Sequence, residues 1–453
     1  MAASARIDIQ DFVDQRRVGR FQWRVFALCL GVLVLDGLDV AAVGFIAPAL
    51  THAWGISREA LGPALVAGLL GMALGAIAGG PAADRVGRRR VIIAAMLVFG
   101  TMSLLSALST GVWELALFRF LTGLGLGAAQ PNAATLVAEY APQRRRSLFV
   151  SLLYSGLTLG AAGGGFLSAA LVGHYGWQSV FVVGGILPIL LGIVCIGLLP
   201  ESIRFLVLRP EHRTALVAVV NRIAPGTADE RTVFVVSEPA DRRRNAVALI
   251  VAPPNRLPTL ALWAGLFMNL LTVYWLNSWL PIMVRDAGFS LSEAAVIGAM
   301  MQVGGTLGNL TIGWGMDRFG GHATLVGMLC GAGLFALLLG AAPADGHVLT
   351  ALLFGLGFCI NSANTGWTAL AAAFYPTEMR ATGMSVMTGI GRFGAIFGAT
   401  VGSLILAGGW SFGQIFLVLT MPIALAAVAA ATKARTTGHA PAATEPVAVG
   451  STR

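Results

Sequence analysis

Charge is scarce in this sequence: 11% of its 453 residues are Asp, Glu, Lys or Arg, against roughly 25% in soluble domains. With 56% hydrophobic residues and a mean hydropathy of +0.78, the chain has too little polar surface for a water-soluble fold. Cysteine is sparse as well. Cys29, Cys195, Cys330 and Cys359 each stand alone inside an apolar block, with no CxxC and no metal-ligand spacing. They read as helix-packing residues; no metal, redox centre or cofactor is expected. An apolar signal-peptide core is missing too, since the first two dozen residues hold Asp8, Asp11, Asp14, Arg16, Arg17 and Arg20. That segment reads as a cytoplasmic tail. The net charge of +9 does not mark a nucleic-acid binder, because the arginines sit in short clusters between apolar blocks and not along one soluble face.

What is present is apolar sequence gathered into blocks of the length needed to cross a hydrocarbon core of roughly 30 Å. Spans are expected at 24–50, 59–80, 90–108, 112–137, 148–172, 178–199, 257–283, 291–313, 323–342, 348–372, 381–407 and 412–432. This predicts an all-α polytopic membrane protein with twelve transmembrane helices in two six-helix halves, 24–199 and 257–432. A tail at 1–23, a polar linker at 200–256 and a C-terminal tail at 433–453 complete the chain. The linker carries Arg242-Arg243-Arg244 and several prolines and has room for a short surface helix.

Arginine and lysine retained on the cytoplasmic side set orientation. The N-tail, the cluster Arg85, Arg88, Arg89 and Arg90, the cluster Arg144 to Arg146, the linker, Arg318, Arg380, Lys433 and Arg435 all fall on one side, while the alternate loops hold little beyond Arg58 and Arg285. Both termini are therefore expected in the cytoplasm. A repeat supports the division: Gly80-Pro81-Ala82-Ala83-Asp84-Arg85-Val86-Gly87-Arg88 after span 2 is echoed by Gly313-Trp314-Gly315-Met316-Asp317-Arg318-Phe319-Gly320 after span 8. Two parallel halves with a site between them at mid-membrane is one architecture of secondary carriers.

The few charges inside spans carry the functional reading. Asp36 and Asp39 lie in span 1, where a carboxylate costs about 2.5–3.5 kcal/mol on insertion scales. Asp36 falls roughly 18 Å from the cytoplasmic start of its helix, and the i,i+3 spacing puts both carboxylates on one face. Burial and a like charge disfavour the ionised form and a nearby arginine favours it, so the pair can take up and release a proton. The alternative is structural: capping a break at Gly37, or pairing with an arginine to hold helices together. The two roles can coexist. Arg119 in span 4 and Arg392 in span 11 reach interior depths and must face a cavity or a partner. The planar guanidinium suits an organic carboxylate, although Arg119 could instead pair with Asp36 or Asp39. Arg392 is the stronger anion-binding candidate, because no acidic residue lies inside span 11 or span 10.

A polar and aromatic lining is expected from Asn269, Tyr274, Trp275 and Asn277 in span 7, Gln302 and Asn309 in span 8, Asn361, Asn364 and Trp367 in span 10, and Tyr154 in span 5. Aromatic rings with amide donors suit a flat oxygenated ring; singly, each also serves as a packing or interfacial residue. The runs Gly123-x-Gly125-x-Gly127, Gly163-Gly164-Gly165 and Gly71-x-x-x-Gly75-x-x-x-Gly79 lack a strand-turn-helix context and read as close helix approach, not nucleotide binding. Asp84 after span 2 can accept from a facing helix N-terminus. With the adjacent arginines and the equivalent Asp317-Arg318, it reads as a latch for the outward-open state; a plain solvated turn is the alternative.

At these residues the chain resembles the major facilitator superfamily over nearly its whole length. The segment from Gly80 to Arg90 is similar to that superfamily's signature loop, and Arg119-x-x-x-Gly123-x-Gly125 to its span 4 signature. Asp36-Gly37-Leu38-Asp39-Val40-Ala41-Ala42-Val43-Gly44-Phe45-Ile46-Ala47-Pro48 looks like the span 1 signature of the aromatic acid:proton symporters. Pro200-Glu201-Ser202-x-Arg204-Phe205 and Tyr375-Pro376-Thr377-Glu378-Met379-Arg380-Ala381-Thr382-Gly383 also fit, though sugar and organic-acid carriers share versions of both. The resemblance implies proton-driven uptake of a benzoate-type anion, such as a hydroxybenzoate, across a bacterial inner membrane by a carrier that works as a monomer among lipids. It assigns importance to Asp36, Asp39, Asp84, Arg119, Glu139, His322, Arg380 and Arg392, and places Gly80, Arg85, Gly87 and Arg88 in the latch. The second repeat ends Phe319-Gly320-Gly321-His322 without the arginine run, so the full charge latch is expected only in the first.

Four rivals remain. A carrier of another organic anion or of a sugar shares the less specific motifs. An effluxing antiporter would carry a glycine-proline signature in span 5, and Ser155 to Leu171 has no proline. A chemoreceptor on a carrier fold would need an appended signalling domain. An intramembrane aspartyl protease needs its aspartates on two helices, and here one helix holds both.

Overall fold

The computed structural model describes residues 6–229, 232–235, 250–253, 255–343, 345–375 and 377–437. Twelve of its helices are long and apolar enough to cross a membrane. In the first half these are span 1 (Arg20–Trp54), span 2 (Gly62–Val86), span 3 (Arg88–Ser106), span 4 (Val112–Tyr140), span 5 (Gln143–Tyr175) and span 6 (Gln178–Leu198). In the second half they are span 7 (Arg256–Asp286), span 8 (Leu291–Phe319), span 9 (Gly321–Ala341), span 10 (Gly346–Phe374), span 11 (Thr377–Ala407) and span 12 (Phe412–Thr437).

The helices outrun the apolar blocks. Span 2 continues from the expected end at 80 to Val86, and span 8 from 313 to Phe319. Gly80, Asp84 and Arg85 therefore lie on a helix, as do Asp317 and Arg318, and the expected loops shrink to single-residue turns. Gly87 at φ 101° and Gly320 at φ 86° make those turns, in a backbone region that glycine enters without steric cost. Hydropathy registers where lipid contact ends, whereas the backbone hydrogen-bond ladder runs on until a residue breaks it.

The described part of the linker includes the helices Ile203–Val207 and Arg213–Ile223 and a strand, Val233–Val235. That strand pairs in parallel with Arg6–Asp8 of the N-terminal tail, in the register Arg6 to Val233 and Asp8 to Val235. Nothing local in sequence announces a three-residue pairing across so many residues. Arg242 to Arg244 and the tail from 438 lie outside the described residues.

Within each half the same helix pairs pack most closely, and small residues set the approach. Spans 2 and 4 meet where a Cβ on Gly71, Gly75, Gly123 or Gly127 would collide with a backbone carbonyl of the facing helix. Spans 8 and 10 repeat the device at Gly304, Gly308 and Gly357, and spans 7 and 11 at Gly394 and Gly398. Spans 1 and 5 join through Gly37, which faces the Leu157 carbonyl, and Gly160, which faces the Val34 carbonyl. Without a hydrophobic driving force between helices in lipid, close backbone approach is what holds such pairs. Gly75→Leu is expected to lower the melting temperature of the detergent-solubilised protein sharply, because overpacking costs about 1–3 kcal/mol even where side chains can yield and here the obstacle is backbone. Gly163→Ala, whose added Cβ meets open space, is expected to be neutral in the same assay.

Among the described residues, the hydrogen bonds and ion pairs that join the two halves lie at mid-membrane or on the side away from the termini. Arg58 pairs with Asp286, Arg285 donates to the Pro48 carbonyl at 3.0 Å, and Ser292 donates to the Ala169 carbonyl at 3.3 Å. Thr306 and Thr158 share a hydrogen bond of 2.9 Å near the middle. The structure is therefore sealed on the side opposite the termini.

Candidate functional site

Span 1 places two carboxylates one turn apart in different surroundings. Asp39 is 1% exposed and receives two parallel hydrogen bonds from Arg119, itself 4% exposed: Nη1 to Oδ1 at 2.8 Å, and Nη2 to Oδ2. The Arg119 guanidinium also lies 5.7 Å from the Phe181 ring centroid. Asp36 is as deeply buried, but neither of its carboxylate oxygens has a hydrogen-bond partner among the described residues. Its electrostatic neighbours are Asp39 and Arg392, and Tyr154 and Tyr274 lie within reach of both Asp36 and Arg392. The expected pair is thus split into one neutralised carboxylate and one without a contact partner.

Arg392 crosses from span 11 to the first half, donating to the Met72 carbonyl at 2.6 Å and to Oε1 of Gln130 at 3.3 Å. Both acceptors are neutral, so no carboxylate consumes its charge in contact. Gln130 was not anticipated. A signal for it exists: it stands eleven residues after Arg119, three helical turns on and therefore on nearly the same face.

The amides of the second half are partly engaged. Gln302 Nε2 donates to Oδ1 of Asn277 at 2.5 Å, and Thr365 donates to Oδ1 of Asn309 at 2.8 Å. Asn269 is fully buried, and among the described residues both its amide atoms and the Asn361 amide nitrogen have no hydrogen-bond partner. Asn364 is half-buried, Tyr154 is 39% exposed, and Trp275 is packed into the apolar core at 2% exposure. Trp367 lies under Gly265 in the same core. A cavity of about 30 Å³ reaches Arg119, Met72, Tyr274 and Asn277. It has room for water, and is an order of magnitude below the roughly 300–1,000 Å³ of small-molecule pockets, so a ring entering there requires the helices to separate.

The expected latch is a network around the Gly87 turn. Arg88 pairs with Glu139, whose carboxylate also accepts from Ser202 at 2.6 Å. The acceptor at the N-terminus of span 3 is Glu201, which takes the Arg89 N–H at 3.0 Å. Asp84, expected in that place, is exposed and makes no hydrogen bond among the described residues. Glu201 reaches the turn because Gly87 leaves space that a Cβ would fill, and Tyr140 donates to the Glu201 carbonyl at 2.7 Å. The Arg85 carbonyl accepts from Arg209 at 2.6 Å.

In the second repeat the Gly320 turn is backed by Thr324 donating to the Gly315 carbonyl at 2.8 Å, and Arg318 lies over Trp314 and Phe319. Asp317 is exposed, and His322 is half-buried near Lys433. The Arg380 side chain lies outside the described residues. Glu201→Ala is expected to destabilise the first half by about 1 kcal/mol, the typical worth of a side-chain cap, read as a lower melting temperature; Asp84→Ala is expected to leave it unchanged.

Comparison with known proteins places this arrangement. The sequence profile of the Major Facilitator Superfamily matches residues 29–253 and 262–450. A 4-hydroxybenzoate transporter, PcaK, of Pseudomonas putida is 48% identical over 93% of this chain and 94% of its own length. A gallate transporter of the same species is 42% identical over 94% of each chain. The inward-open structure of the xylose transporter XylE from E. coli superposes with a TM-score of 0.69 at 17% identity, covering 90% of this chain and 95% of its own. The matched profile spans both halves, and the relatives run the full length of the twelve-helix frame: the chain belongs to the major facilitator superfamily.

Proposed function

We propose that this protein is a proton-coupled symporter that imports an aromatic carboxylate of the hydroxybenzoate type across a bacterial inner membrane, by alternating access between its halves. The observation that carries the reading is the division of labour at mid-membrane. Arg119 neutralises Asp39, while Asp36 stands buried without a hydrogen-bond partner among the described residues, within electrostatic reach of Arg392. The names of the full-length relatives, transporters of 4-hydroxybenzoate and gallate, support the substrate class.

In this reading Arg392 receives the substrate carboxylate, exchanging two neutral acceptors for an anion. Asp36 carries the proton: while ionised it repels the substrate and attracts Arg392, and once protonated it does neither, so anion and proton bind together. Asp39 positions Arg119 and closes the wall between spans 1 and 4. Tyr154, Tyr274, Asn277 and Gln302 offer ring and amide contacts, and Asn269, Asn361 and Asn364 further amides. Arginine retention on the cytoplasmic side puts the termini inside, which makes the described state inward-facing. The turn network at Gly87, Arg88, Glu139 and Glu201 then holds the first half rigid while the exposed Asp84, with Arg380, awaits closure of the inner side.

Uptake of a panel of labelled aromatic acids into proteoliposomes with an imposed pH gradient tests the function. Hydroxybenzoates are expected to enter faster when the outside is acidic. Uptake of sugars or aliphatic acids with none of benzoates would overturn the reading.

A further inference from the structure

The sealed side carries two basic residues that neither the central site nor the turn network uses. Arg58 and Arg285 are the only Arg or Lys at the span ends and connecting segments of the side away from the termini, and the fold brings both to one crevice of about 460 Å³. That volume falls within the roughly 300–1,000 Å³ range of small-molecule pockets. Its walls combine the two guanidiniums and His52 with the carboxylates of Asp286 and Glu59 and the apolar Ile56, Ile282 and Leu406. Arg58 is half exposed and its partner Asp286 is 29% exposed, so the pair is open to exchange with solutes. Arg285 is held by a neutral acceptor, the Pro48 carbonyl.

Both interactions tie one half to the other. The Arg58 to Asp286 pair joins the segment before span 2 to span 7, and the Arg285 bond joins span 7 to span 1. A carboxylate from solution is chemically the same ligand that Arg58 already holds, and a better one than the carbonyl that Arg285 holds.

We propose that Arg58 and Arg285 form an external capture site for an aromatic monocarboxylate, at which the incoming anion replaces Asp286 and the Pro48 carbonyl and thereby releases the seal between the halves. The proposal rests on the import reading and on its orientation, termini inside. Asp286 is then a resident competitor of the substrate as well as a strut. A plain mechanical seal and a capture site differ in one respect: breaking the pair from either end is equivalent for a seal and opposite for a capture site.

Initial uptake of labelled 4-hydroxybenzoate by intact cells distinguishes them, with expression and detergent melting temperature measured for each variant. Arg58→Gln and Arg285→Gln are expected to raise the KM about tenfold while moving the maximal rate less, because each removes an attracting charge. Asp286→Asn is expected to lower the KM about threefold by removing the competitor, and Arg58→Lys to fall between wild type and Arg58→Gln. Shifts of the same sign in Arg58→Gln and Asp286→Asn, or an unchanged KM in both, overturn the capture site and leave import standing. Wild-type cells that take up no aromatic acid overturn the import reading instead.

Discussion

Asp36→Asn is expected to preserve exchange of aromatic acid across the membrane and to abolish accumulation driven by a pH gradient. The substitution keeps the shape of a side chain that is 1% exposed and whose carboxylate oxygens have no hydrogen-bond partner among the described residues. No contact is broken, and the fold should persist. What disappears is the ability to exist in two charge states beside Arg392. A gradient of one pH unit stores about 1.4 kcal/mol per coupled proton, a tenfold accumulation, and a permanently neutral amide in place of the carboxylate has no access to it. In proteoliposomes clamped at zero membrane potential, wild type is expected to accumulate hydroxybenzoate faster than protein-free vesicles in response to the gradient. The variant is expected to show counterflow at near wild-type rates with no response to the gradient. Gradient-driven uptake surviving in Asp36→Asn would remove Asp36 from the coupling mechanism.

The largest effect on stability is expected at the neighbouring pair. Asp39 and Arg119 are 1% and 4% exposed and joined by two hydrogen bonds, so either single replacement strands a buried charge without its partner. Removing one partner of a buried pair typically costs about 3–5 kcal/mol, whereas replacing both by apolar residues is often neutral. Arg119→Met and Asp39→Leu should each reduce yield and melting temperature severely, and the double variant should recover most of both. Transport is expected to stay absent in the double variant, because the wall of the small central cavity loses the polar group contributed by span 4. A double variant no more stable than the singles would show that the site cannot tolerate an apolar pair; one that transports normally would confine Arg119 to packing.

Much of the candidate site was legible because its members are charges where charges are costly. Asp36, Asp39, Arg119 and Arg392 each stand out singly against apolar sequence, and the structure brings all four to the middle of the bundle. The glycine ladder on spans 2 and 4 was legible too, since its meaning depends on spacing along one helix. Gln130 and Glu201 were harder to find. A glutamine in a span is a modest signal, and Glu201 serves a turn more than a hundred residues away in the chain. The strand pairing between the N-terminal tail and the linker left no local trace.

Sequence alone determined the twelve spans, their division into two halves and the positions of the buried charges, because hydropathy and charge are properties of each segment by itself and the bilayer imposes its cost on each segment separately. It left open whether Arg119 meets Asp36 or Asp39. Residues three apart on a helix point about 60° away from one another, too little to separate them by pattern and enough to face different helices. Gly37 lets the Leu157 carbonyl of span 5 approach span 1, while Asp39 turns to span 4 and Arg119. Only tertiary packing decided which carboxylate is neutralised and which is left without a hydrogen-bond partner among the described residues.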